Sequence, residues 1–197
     1  DDSLQKGSGV ILLQNVASNQ EAETPNEPVS DDERLIAADS ITFGADNAPA
    51  RTITLGSVDP KSGYKYQLEL STKGAAIRKA FFSEFDDRDY KNPQPLVIIS
   101  PIRERDGSEA LAMANTNFIF VQQQLQLSLN RLDWKSFDAE TADDGSQSAR
   151  FEAIIKREDT GDSVLKLTKT YRIRRDSYLL DCDLTVENLT DGEQKVR

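Results

Sequence analysis

No histidine occurs anywhere in the 197 residues of this chain. That removes Ser-His-Asp and Cys-His arrangements, histidine metal sites, and the commonest general base near neutral pH. There is one cysteine, Cys182. It can form neither an internal disulfide nor a thiolate zinc site nor a dithiol redox pair, and it fits either a reducing cytosol or a disulfide-free periplasm. Long apolar runs are missing as well: Val10 to Leu13 and Leu96 to Ile99 fall far short of the ~20 residues that span a bilayer. Gly7-Ser8-Gly9 is followed by neither the lysine nor the third glycine of a phosphate-binding loop. With neither an initiator methionine nor a signal-peptide pattern, the chain reads as a segment of a longer protein, and any membrane anchor is expected outside it.

Basic charge is also scarce. Twenty-four Lys and Arg stand against 34 Asp and Glu, a formal charge of −10. Neutralising nucleic-acid phosphates needs clustered cations, so nucleic acid is not an expected partner, and an anionic lipid surface is disfavoured for the same reason. Apolar residues make up 37%, below the usual ~45–50%. Part of the chain therefore contributes nothing to a core. The clearest such part is Ser18 to Arg34, acidic, with two prolines and almost no large apolar side chain. Such a stretch cannot bury enough surface to offset its ordering entropy. Residues 1–50 are read as a flexible acidic segment, with Val10 to Val16 a stray edge strand or sticky linker, and residues 51–197 as the compact domain.

From Arg51 onward the dominant period is two, that of half-buried strands. Tyr64, Tyr66, Leu68 and Leu70 alternate with polar residues, as do Leu125, Leu127 and Leu129, and then Phe151, Ala153 and Ile155. Leu165, Leu167, Tyr171 and Ile173 form one face of a long strand, interrupted at Lys169. After the turn Arg175-Asp176-Ser177, the even positions Tyr178, Leu180, Cys182, Leu184 and Val186 are apolar, while Asp181, Asp183 and Glu187 are odd. The even set is expected to face the core, because a one-residue slip would bury three carboxylates. Two long connections are expected, Asp86 to Pro95 and Asp138 to Ala149. The pattern predicts an all-β antiparallel sandwich with room for at most one short helix.

Carboxylates remain as candidate chemistry. Asp86, Asp87 and Asp89 cluster in one loop, and Glu158, Asp159 and Asp162 around Gly161 in another. Hard cations favour closely spaced acids, but neither loop matches an EF-hand, and Arg88 and Arg157 dilute the charge. Both are read as structural or solvated loops. Phe81, Phe82, Phe85, Trp134 and Phe137 could line a groove for a sugar or an extended peptide, with core packing the plainer reading. No catalytic, cofactor-binding or metal-binding residue is assigned.

Two stretches resemble the large periplasmic domain of bacterial YidC-type membrane protein insertases. In the first, Thr54 to Phe82, Leu68-Glu69-Leu70-Ser71-Thr72-Lys73-Gly74-Ala75 is similar to a family element in which a strand enters a glycine turn, with Ala75 replacing the second glycine. In the second, Leu165 to Arg197, the residues Lys169-Thr170-Tyr171, Arg174, Tyr178 and Asn188 fill the positions of a family hairpin. The resemblance implies a β-super-sandwich like that of galactose mutarotases. Mutarotases use histidine as acid or base, so the fold is implied here without that activity.

It also implies a non-catalytic, cofactor-free periplasmic domain of an inner-membrane insertase or chaperone that helps membrane proteins insert and fold. The implied partners are Sec-translocon components and nascent membrane proteins. Two other readings stay open, a carbohydrate-binding or carbohydrate-modifying sandwich, and a generic adhesion or solute-binding sandwich.

Overall fold

The computed structural model describes residues 42–115 and 117–197. The readings of Gly7 to Gly9, Val10 to Val16 and Ser18 to Arg34 lie outside the described residues.

The alternating segments become strands. The first five are β1 (Phe43–Ala45), β2 (Thr52–Gly56), β3 (Tyr66–Ser71), β4 (Ala76–Asp86) and β5 (Pro95–Ile99). Six short ones follow: β6 (Ile102–Arg103), β7 (Glu109–Ala110), β8 (Asn117–Phe120), β9 (Leu125–Ser128), β10 (Lys135–Ser136) and β11 (Glu140–Thr141). Three long ones close the chain, β12 (Gln147–Arg157), β13 (Ser163–Ile173) and β14 (Leu180–Asn188). Among the described residues the one helical element is a 3-10 turn at Pro60–Ser62, opened by the Asp59 carboxylate accepting from the Lys61 amide at 2.9 Å.

One sheet runs β1-β12-β13-β14, with β10 and β11 also paired to β12. The other runs β2-β3-β4-β5, and β6/β7 and β8/β9 form separate pairs. Every pairing is antiparallel. Leu55, Leu68, Leu70 and Ile77 from one sheet and Phe151, Ile155, Leu167 and Tyr171 from the other join a single buried cluster, together with Phe120, Leu127 and Trp134. The chain is an antiparallel β-sandwich, as the period-two pattern predicts.

Buried polar groups connect the layers. The Tyr171 hydroxyl donates to the Ala75 carbonyl at 2.8 Å, the Tyr64 hydroxyl to the Gly145 carbonyl at 2.7 Å, and the Gly56 amide to Gln147 Oε1 at 2.6 Å. A buried hydroxyl without such a partner would be costly, so each bond also fixes how the sheets meet.

Three expectations change. The packed body starts before Arg51: β1 pairs with β12, and Phe43 is buried, stacked on Phe120 with ring centroids 4.1 Å apart. The connection from Asp138 to Ala149 is no open loop, because Glu140 and Thr141 pair with Ser148 and Gln147 in a hairpin closed at Gly145. Third, the even face of β14 is only partly covered. Leu167 lies opposite Val186 and Lys169 opposite Leu184, so that face looks the same way as the buried face of β13. Yet Leu184 and Val186 remain 45% and 40% exposed, and Cys182 is only half-buried. Among the described residues β14 is the outermost strand on its side of the sheet, and little packs over its far half. The inward direction is as the alternation predicts, and the burial is not.

The candidate site, an open apolar groove

Among the described residues the two sheets end at β5 and β14, and the sandwich is open between them. A groove of about 370 Å³ lies there. Strand β3 supplies Tyr66 and Leu68, β4 supplies Ala80 and Phe82, and β5 supplies Ile98 and Ile99. The far wall is Tyr178, in the turn before β14, and Leu180 at its start. Alternation explains the floor: Tyr66 lies opposite Phe82 in the β3–β4 ladder and Leu68 opposite Ala80, so all four point inward.

The wall is fixed by polar contacts at its rim. The Tyr66 hydroxyl donates to the Leu179 carbonyl at 2.8 Å, tying the turn to β3. The Tyr178 hydroxyl donates to Glu84 Oε2 at 2.5 Å, and Lys65 Nζ donates to Glu84 Oε1 at 2.7 Å, with Asp176 3.7 Å away. The hydrogen bond from Lys65, then that from Tyr178, holds the Glu84 carboxyl below its ordinary range, and the same contact raises Lys65. Glu84 is therefore a fixed anion at the rim and not a proton donor near neutral pH. The Phe82 ring meets Tyr178 edge-on at 5.8 Å and Phe85 at 5.4 Å.

Burial pushes the Tyr66 hydroxyl up to about 12, with the Asp181 charge adding to it. Burial raises Tyr171 too. Folded values above the unfolded value near 10 mean stability that is complete below pH 10 and lost as pH rises through the folded pKa. Tyr66 alone should remove on the order of 2 kcal/mol between pH 10 and 12. Urea unfolding across that range should show a steep fall, flatter in Tyr66→Phe. Equal slopes in the two proteins would contradict the assignment.

The aromatic candidates do not converge. Phe82 lines the groove, Phe85 packs against Phe82 without lining it, and Phe81 points to the other side of β4. Trp134 is fully buried in the core, its indole N–H without a partner among the described residues. Phe137 packs under the Lys135 and Arg150 cations, the latter 4.0 Å from the ring centroid. Ile98, Ile99 and Tyr178 were not singled out as groove residues. The run Leu96 to Ile99 was visible, and its apolar side chains on both strand faces are what an only partly covered edge strand presents.

The acidic loops do not gather into a site. Asp87 accepts from the Asp89 amide at 3.0 Å, Asp89 from the Lys91 amide at 3.0 Å, and Asp159 pairs with Arg157 at 2.6 Å. No three His, Cys, Asp or Glu side chains converge in metal-binding geometry among the described residues. Burial raises the Cys182 thiol, the opposite of nucleophile activation.

What the sheets and groove define is an all-β sandwich that, among the described residues, is open along one side over an apolar floor. The family model for the YidC periplasmic domain matches residues 63–197, and the chain belongs to that family. The match covers all of the Leu165–Arg197 stretch and begins inside the Thr54–Phe82 stretch. No curated protein and no solved structure matches the chain. The family is a domain of membrane protein insertases, on their periplasmic side. No helix among the described residues is long and apolar enough to cross a membrane.

Proposed function

We propose that this domain serves its insertase without catalysis, as a periplasmic contact module whose groove receives apolar side chains of an extended protein segment. The partners are Sec-translocon components or nascent membrane proteins. The observation that supports this best is the groove's chemistry. Its floor is aliphatic and aromatic, and the ionisable groups beside it are tied to one another at the rim. Pockets of this kind hold apolar anchors and exclude water around them. A sugar would need several convergent hydrogen-bond partners, and the floor supplies none, so the carbohydrate reading is the weaker one.

Placing a charge in the floor should weaken binding, because an apolar anchor would strip water from the carboxylate and offer no hydrogen bond in return. In the membrane-embedded insertase, Ile98→Glu should reduce co-purification of translocon components by about tenfold. Thr54→Glu, on the exposed side of β2, should not. Equal recovery with both variants would sink the groove as the contact site.

A further inference from the structure

The chain that pairs with β4 on the side of β5 leaves it and returns. Strand β5 follows β4 as far as Ile99, opposite Ala80. The next described residue to pair there is Ala112, opposite Ile77. The Ile77 amide donates to the Ala112 carbonyl at 2.8 Å, and the Ala112 amide to the Ile77 carbonyl at 3.2 Å. The residues between, 100–111, make a hairpin of their own from β6 and β7. Its tip is internally tied. The Glu104 amide donates to the Ser108 carbonyl at 2.8 Å, and Asp106 Oδ1 accepts from the Ser108 amide at 2.9 Å.

This arm is fastened to the sandwich in two ways. Along its length lie Arg78–Glu109 at 3.9 Å and Arg131–Asp106 at 3.4 Å, pairs between exposed side chains that hold weakly. At its base the buried Lys169 of β13 donates to the Met113 carbonyl and to Asn115 Oδ1, the latter at 2.8 Å. Met113 itself sits at φ 58, a left-handed conformation that a non-glycine residue keeps only where its surroundings impose it. Every side chain from Pro101 to Asn115 is at least partly exposed among the described residues. The base is therefore held by polar contacts, and opening would return the Lys169 ammonium to water.

We infer that residues 100–115 form a strap that opens as one unit while the sandwich stays folded, and that Lys169 is its latch. Segments with few buried apolar contacts open at lower free energy than the core they rest on. Opening frees the Ile77 amide and carbonyl at the edge of β4. The strap supplies no residue to the wall or floor of the groove, so this device stands or falls apart from the contact reading.

Native-state hydrogen exchange of the insertase in its membrane tests it, resolved to the amides of Ile77 and Ala112, with the β12–β13 ladder as reference. In the unaltered protein the two amides should exchange together, well ahead of the ladder. Lys169→Met should accelerate both about tenfold, and Asn115→Ala, which spares the core, about fivefold. Gly56→Ala touches none of the strap's contacts. It should accelerate the ladder and leave Ile77 and Ala112 as they were. Three results overturn the inference. One is protection of Ile77 and Ala112 equal to that of the ladder, as when a further part of the polypeptide holds the strap down. Another is acceleration of the pair in step with the ladder in Gly56→Ala. The third is a pair unmoved by both latch variants.

Discussion

Lys169→Ala should lower the unfolding free energy by about 3 kcal/mol. The apolar face of β13 passes through this residue without a break. Lys169 points inward with 4% of its surface exposed, and Nζ donates to the Met113 carbonyl and to Asn115 Oδ1, the latter at 2.8 Å. Its ammonium also lies 5.3 Å from the Tyr171 ring centroid. Truncation removes three methylenes beyond the β-carbon, at about 0.8 kcal/mol each. It also strands two acceptors, at about 1–3 kcal/mol each where water cannot reach them.

Against this stands relief of the buried charge, since burial lowers the Lys169 pKa. That lowered value also works opposite to the tyrosines: the lysine's share of stability grows as pH rises through its folded pKa towards 10.5. Lys169→Met keeps most of the stem and should cost only about 1–2 kcal/mol. Urea unfolding of both variants measures the difference. A Lys169→Ala loss under about 0.5 kcal/mol would show that the 111–115 segment does not depend on this anchor.

Gly56→Ala should cost about 2–4 kcal/mol. Gly56 ends β2 at φ +75, a left-handed conformation that costs alanine about 1 kcal/mol. A methyl there would also sit 2.1 Å from the Tyr66 carbonyl oxygen, which is backbone and cannot rotate away. The end of the β2–β3 ladder must open, and the Gly56 amide then leaves Gln147 on the other sheet. Gly63 is the control. Its φ is +81, but the nearest atoms to an added methyl belong to Arg175 at 3.6 Å or more. Gly63→Ala should lose only the conformational part, about 1 kcal/mol. Equal losses at the two positions, read from thermal or urea unfolding, would mean that the close approach at Gly56 is relieved elsewhere.

The inward faces were legible wherever a strand lies under the opposite sheet. Tyr66, Leu68 and Leu70, then Phe151, Ala153 and Ile155, alternate in sequence and are buried in the fold. Two-residue strands such as β6, β7, β10 and β11 have no period to read, and they are defined by the neighbours they pair with. Lys169 broke the pattern by residue type, although its aliphatic stem and two acceptors make it a core residue. At β14 the alternation gave direction correctly, but coverage depends on where the other sheet stops, which no local pattern encodes. The groove was illegible for the same reason. Its walls come from residues more than a hundred positions apart, brought together only by the β3–β4–β5 ladder and the turn at Tyr178.

Photo-cross-linking from position 98, with the insertase in its native membrane, tests the groove most directly as the contact surface. The reactive side chain replaces Ile98 in the floor, and a matched one replaces Thr54 on the outside of β2. Cross-links from 98 to translocon subunits or nascent membrane proteins, weak or absent from 54, are the expected result. Equal labelling from both positions, or none from 98 while insertion proceeds normally, would contradict it.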